Sequence, residues 1–350
     1  MALRVIHCGS GNVGRAALRG IINHADLELV GQYVWSPEKL DMDCGEIAGM
    51  EPIGVRATND WDALLDLQAD CLVFFGRSIG RAEECIADCV RFLERGTNVV
   101  NFSAFELAHP ELGPPELRDP VVTACAKGRS SFFFSGIDPG WATTDMAIAT
   151  LAAVDRVDCV RVLELGYWGK YSSEYSCREY FGFGKPPGHM PLLMTGGFLR
   201  RSWEPTLRHI ADVLGKDIDG WEEMYEVDCL DHDTETGFGV VEAGTAAAIH
   251  FELRAMHKGK AIVICEHVDQ VSRQAGLQWK QPFGPYDCVH RIEIEGEPAL
   301  TVEIGCPPGF GAAVRCAMPV VNAVPGVCIA KPGILGPLDI PRYWSRNVAH

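Results

Sequence analysis

The first fourteen residues constrain this chain more than any other stretch. LRVIHC, residues 3–8, is a short apolar run that stops at Gly9-Ser10-Gly11-Asn12-Val13-Gly14. Glycines 9, 11 and 14 match G-x-G-x-x-G, and NVGRAALRGIIN carries helical spacing over about residues 12 to 23. In a strand–turn–helix context each glycine has a task. The first makes the tight turn, the second lets a diphosphate approach the backbone, and the third lets the helix pack on the strand. The helix N-terminus then faces the phosphates. LELVGQYV at 27–34 supplies the next strand, so the opening reads as a dinucleotide-binding unit. Its candidate cofactor contacts are Gly9, Ser10, Gly11, Asn12, Val13, Gly14 and Arg15.

An NAD site of this kind places an acid at the end of the second strand, where it takes the ribose 2′-hydroxyl. Here the strand ends in Val34, Trp35 and Ser36, followed by Pro37, Glu38 and Lys39. Ser36 and Lys39 offer a hydroxyl and a cation to a 2′-phosphate, with Arg15 as a further candidate. NADP is the expected cofactor, and Glu38 leaves NAD open.

The alternation of strand and helix continues. Asp60 is placed to cap a helix in WDALLDL, CLVFF (71–75) is a buried strand, and AEECIADCVRFLERG is an amphipathic helix. NVVNF (98–102) and SSFFFSG (130–136) are further strands. Short buried strands separated by helices predict a doubly wound parallel Rossmann sheet, an α/β class in which ligands lie beyond the carboxyl ends of the strands. Gly76 and Arg77, Ser103 and Ala104, Glu106, and Asp138 and Pro139 each follow such an end and are expected to converge, all but Glu106 as cofactor contacts. Glu106 is the most telling of these, a lone carboxylate in VVNFSAFELAHPEL. Apolar neighbours such as Phe105 and Leu107 would raise its pKa towards a useful range. A glutamate that merely starts a helix and answers its dipole is the competing reading.

Patterning changes after a helix expected to begin near Trp141. CVRVLELGYWG, TAAAIHFELRAM, AIVICEHVDQV and CVHRIEIEG read as longer strands, several alternating apolar and polar residues, with tight turns at HKGK and EGEP. They predict a second, α+β domain built on a mostly antiparallel sheet, with irregular helices around 173–181 and 202–215. The expected division is a Rossmann domain over 1–140, a substrate and dimerisation domain over 141–310, and a C-terminal helix and tail over 311–350. That last helix, from about 311 to 323, and PGILGPLDIPR would return to the first domain, where Asn322 could bond the nicotinamide carboxamide. The cleft between the domains is the expected substrate site. The stretch from Tyr167 to Met194 is long, aromatic and rich in glycine and proline. It is expected to wall a pocket, with Trp141, Tyr167, Trp168, Tyr175 and Phe181 as lining candidates; packing in a dimer interface is the alternative.

Composition closes off other classes. The 350 residues carry a net charge of −16, and their Lys and Arg form no stripe, so a nucleic-acid partner is not expected. No apolar run is long enough for a bilayer and no signal-peptide pattern precedes the first strand, so a cytoplasmic protein is expected. The 14 cysteines are scattered singly, without a CxxC, and read as reduced small hydrophobes. His250, His257 and His267 make no metal constellation by spacing, and no metal is expected.

Several of these segments carry a family likeness. GSGNVGRAA, YVWSPEK, CGEIAG, AFELAHP, GIDPGW and VVNAVPGV…KPGILGPLDIP together resemble proteins with a dihydrodipicolinate-reductase-like N-terminal domain, namely the native amine dehydrogenases and 2,4-diaminopentanoate dehydrogenase. The likeness spans essentially the whole chain. It implies NAD(P)H-dependent reductive amination of a ketone or aldehyde with ammonia, reversible as oxidative deamination, with Glu106 as the catalytic residue, and a homodimer joined through its second-domain sheets. The paired histidine with a nearby lysine and the Ser-Gly-Thr segment of true dihydrodipicolinate reductases are missing. Ala104-Phe105 stands where the diaminopentanoate enzymes have Cys-Glu, which favours a small, less polar ketone or aldehyde over a diamino acid. Reduction of another carbonyl or imine, and a non-catalytic dinucleotide-binding role, are the alternative readings.

Overall fold

A computed structural model describes residues 2–76, 81–308 and 311–347. The chain divides into two compact units, Met1–Trp141 with Gly311–His350, and Ala142–Phe310.

In the first unit the short apolar runs become strands because both faces of each are covered. They are β1 (Leu3–Cys8), β2 (Leu27–Tyr33), β3 (Ala57–Thr58), β4 (Cys71–Phe74), β5 (Asn98–Asn101) and β6 (Ser131–Phe134). The helices between them are α1 (Asn12–Asn23), α2 (Cys44–Ala48), α3 (Trp61–Leu65), α4 (Ala82–Leu93) and α5 (Pro115–Gly128). Asp60 caps α3 by accepting from the amides of Asp62 and Ala63, and Asp43 caps α2 through Gly45.

The second unit contains α6 (Met146–Leu151), β7 (Arg156–Tyr167), α7 (Phe198–Val213), β8 (Gly220–Cys229), β9 (Thr234–Thr236), β10 (Gly239–Val241), β11 (Ala246–His257), β12 (Lys260–Gln270), β13 (Cys288–Glu297) and β14 (Leu300–Gly305). Six strands form one sheet in the order β14-β13-β7-β12-β11-β8, and β9 pairs with β10. Only β7 and β12 run parallel among the neighbours of the six-stranded sheet. Alternation sorts its two faces. Val160, Val162, Phe251, Leu253, Val263 and Cys265 enter the core with Leu199, Trp203 and Leu207 of α7. Arg161, Glu252 and Glu266 point the other way and join in ion pairs. Burial alone would raise the Glu266 carboxyl, but His250, Arg161 and Lys280 outweigh it and hold the group at about 2.

The chain then forms α8 (Ala312–Cys328) and β15 (Gly333–Leu335), which completes the first sheet beside β6. That all-parallel sheet runs β15-β6-β5-β4-β1-β2-β3. The order reverses at β1, so the space beyond its carboxyl end is the switch point where such sheets take ligands. Helix α8 ends five residues later than the sequence predicts and runs through Pro319 and Pro325. Each proline costs a helix about 3 kcal/mol. Val320, Val321, Val324 and Val327 are fully buried, and burying each stabilises by about 1.5–3 kcal/mol, so packing wins. Gly20 of α1 makes the approach to α8 close: a Cβ there would lie 2.3 Å from Met318 Cε.

The 14 cysteines are all free thiols, nine of them buried. Among the described residues, no helix is long and apolar enough to cross a membrane.

Candidate active site

The glycine turn has the shape its pattern requires. Gly9 adopts φ +107°, and a Cβ on it would lie 2.7 Å from the Phe75 carbonyl oxygen. A Cβ on Gly14 would meet the Gly9 carbonyl oxygen at 2.7 Å, so both positions are closed by backbone. Gly11 differs, since nothing lies within 4 Å of its Cβ position. It precedes α1 without a capping side chain, and the first turn of α1 contains no acid. Exposed Gly11 and Asn12, half-buried Val13 and exposed Arg15 thus border open space at a positive helix end, which suits a dinucleotide diphosphate. Ser10 is buried.

Lys39 folds back onto this turn. Its Nζ donates to the Ser10 carbonyl at 2.9 Å and to Ser10 Oγ at 3.1 Å. A cation therefore stands against the glycine turn, while Ser36 is half-buried at the start of the short turn Pro37–Lys39. Arg15 lies close to Gly49 on the loop after α2.

Glu106 sits in a three-residue helical turn, Phe105–Leu107, just beyond β5. The turn is held by Asn101, a fully buried residue that the sequence reading passed over. Asn101 Oδ1 accepts from the backbone amides of Ser103 at 2.6 Å and Ala104 at 2.7 Å, and its Nδ2 faces Cys89 Sγ at 3.5 Å. Ser103 Oγ donates to the Gly76 carbonyl oxygen, fastening the loops after β4 and β5 together. Leu107 is buried beneath the turn, and Glu106 Oε2 is shielded from water. A signal for Asn101 was present: a polar residue ending a buried strand two positions before a serine is a short side-chain-to-backbone turn. Gly76 is buried; Arg77 lies outside the described residues.

Asp138 and Pro139 follow β6, both half-buried, and Asn322 is half-buried on α8. Glycine turn, Lys39, Gly76, Ser103, Ala104, Glu106, Asp138 and Pro139 therefore all belong to loops at the carboxyl side of one sheet. Between β1 and β5 stands only β4, so the glycine turn and the Glu106 turn leave strands about 10 Å apart. His7, in β1 just before the turn, is wholly buried beside Phe75, and burial pushes its imidazole down to about 3. It is a neutral core histidine at ordinary pH.

The aromatic candidates separate. Trp141 closes the first unit, its amide donating to the Gly136 carbonyl at 2.9 Å. In the second unit Trp168 packs on Phe181 with ring centroids 4.7 Å apart and donates Nε1–H to Asp269 Oδ1 at 2.8 Å. Phe181 belongs to the buried core, so part of the long loop is structural packing. Tyr167 carries the Arg273 guanidinium over its ring at 4.3 Å, and Tyr175 is 54% exposed.

Two family models match parts of the chain. Residues 3–93 match the model of the dihydrodipicolinate reductase N-terminus, and residues 200–347 that of the 2,4-diaminopentanoate dehydrogenase C-terminal domain. An amine dehydrogenase from Streptomyces virginiae is 31% identical over 340 residues, 95% of this chain and 94% of that protein. The 2,4-diaminopentanoate dehydrogenase of Acetoanaerobium sticklandii is 25% identical, covering 73% of this chain and 69% of its own. The structure of an amine dehydrogenase from Mycobacterium smegmatis shares the fold with a TM-score of 0.76 at 19% identity, over 99% of this chain and 98% of that one.

Proposed function

Because this chain belongs to the amine dehydrogenase family, we propose that it reductively aminates small, mostly apolar ketones or aldehydes with ammonia, Glu106 serving as acid and base. It is an NAD(P)-dependent oxidoreductase acting on CH–NH2 groups. The proposal extends to NADP preference through Lys39, Ser36 and Arg15, and to the homodimer and cytoplasmic location that the resemblance implies. What supports the reading best is one placement. Glu106 follows the strand two positions from the glycine turn, on a loop fastened to its neighbour through Ser103 and Gly76.

The bound cofactor would supply hydride, and the glycine turn with the α1 N-terminus would hold its diphosphate. The remaining chemistry needs a proton moved at one carboxylate. Glu106 takes a proton from ammonium, so that neutral ammonia attacks the carbonyl carbon. It returns that proton to the carbinolamine hydroxyl, which leaves as water, and then faces the iminium as a counter-charge. Leu107 and the buried turn keep water away from one side of the group.

A panel of ketones and aldehydes with ammonium and either cofactor tests this. Cofactor oxidation should require ammonium, and Glu106→Gln should lower kcat by about 10²–10⁴-fold while cofactor binding is kept. Turnover that ignores ammonium favours reduction of another carbonyl, and full activity in Glu106→Gln removes that residue from the role.

A further inference from the structure

We propose that the second unit holds a zinc-type divalent cation on Glu164, Cys288 and His290. The site is built wholly from residues of that unit. It arises from register. On β7, Glu164 shares the face of Val160 and Val162, so a carboxylate stands on the face that otherwise builds the core. Glu164 is the direct partner of His290 on β13 and of His267 on β12, which makes a His–Glu–His row across three adjacent strands. Cys288 is one step along β13 on that same face, opposite Gly166, which has no side chain to intervene.

The ligand atoms of Glu164, Cys288 and His290 lie within 4.8 Å of one another, and His267 offers a nitrogen within the same distance of the Glu164 carboxylate. His290 Nε2 and Glu164 Oε2 are 3.0 Å apart. Ligands bound about 2.0–2.3 Å from a tetrahedral ion stand roughly 3.3–3.8 Å from each other, so small side-chain adjustments suffice. Imidazole, thiolate and carboxylate together suit zinc or cobalt rather than magnesium or calcium. The ligands stand on internal strands of a six-stranded sheet, a rigid frame. His290 and Glu164 have side chains 3% and 15% exposed, while Cys288 is half-buried and leaves an entry path. On binding, the Cys288 thiol gives its proton to solvent and the thiolate joins the metal.

A second cluster serves as a control. His250, Glu252 and Glu266 are equally close, but Glu252 and Glu266 already receive Arg161, and Glu266 also receives Lys280 Nζ at 2.9 Å. Its charge is neutralised by the protein itself.

The test uses the full-length protein freed of metal with a chelator and titrated with cobalt(II), then zinc(II). One cobalt per chain should bind, with a thiolate-to-cobalt charge-transfer band that zinc abolishes. Cys288→Ser should remove the band, and His290→Gln should weaken binding by roughly 100-fold or more, whereas His250→Gln changes neither. Failure to bind cobalt or zinc stoichiometrically overturns the proposal. So does binding whose spectrum and affinity survive both Cys288→Ser and His290→Gln; because serine is nearly isosteric, the first variant reports even if the second misfolds.

Discussion

Asn101 Oδ1 accepts the Ala104 amide at 2.7 Å, and this contact turns the chain out of β5 towards Glu106. Asn101→Ala leaves the Ser103 and Ala104 amides without that acceptor, at a cost of about 1–3 kcal/mol. The larger effect is on the position of Glu106, since a displacement near 1 Å can cost about 100-fold in rate. The variant should lose kcat by about 10–100-fold and keep its cofactor affinity within about threefold. Steady-state kinetics beside a fluorescence titration of cofactor separate the two, and an unaltered kcat would show that the turn holds its shape without Asn101.

Gly14 and Gly11 should respond differently to alanine. A methyl on Gly14 meets the Gly9 carbonyl oxygen at 2.7 Å, so the turn must shift, and Tm should fall as about 1–3 kcal/mol of overpacking is imposed. Gly11 has φ −71° and open space around its Cβ, so Gly11→Ala should melt like wild type. If a diphosphate sits against that backbone, Gly11→Ala nonetheless weakens cofactor binding by about tenfold or more, the equivalent of about 1.4 kcal/mol. Unchanged affinity would place the cofactor elsewhere.

Lys39 should set cofactor choice. Losing a charged contact to a 2′-phosphate costs about 1.5–3 kcal/mol, so Lys39→Ala should lower kcat/KM for NADPH by about 10–100-fold and leave that for NADH nearly unchanged. An equal loss with both cofactors would mean that Lys39 only braces Ser10, to which it already donates.

Acid should expose His7. Its imidazole titrates at about 3 in the fold against 6.5 when free, because burial disfavours the charged form. Between pH 6.5 and about 3 the unfolded chain binds a proton that the folded chain refuses, so stability falls on acidification by about 1.4 kcal/mol per pH unit and is unaffected by this group above 6.5. His7→Leu removes that dependence. Its Tm should fall less than that of wild type between pH 7 and pH 4.5, and parallel losses in the two proteins would show that His7 is protonated in the fold.

The parallel sheet was legible because its signals are local. A glycine pattern, an N-cap at Asp60 and runs such as CLVFF need only their neighbours to be read. Glu106 was visible as an acid beyond a strand end for the same reason. The end of α8 was not, since Pro325 argues for a stop near Ala323 and only the valines buried against the sheet explain its continuation.

Spacing along the chain thus decided which segments become strands and helices and where a diphosphate turn falls, because backbone sterics and side-chain periodicity act over a few residues. Register decided the rest. Glu164 and His290 are 126 positions apart and meet at 3.0 Å only because β7 and β13 pair in one alignment, and a shift of a single residue would send each to the opposite face.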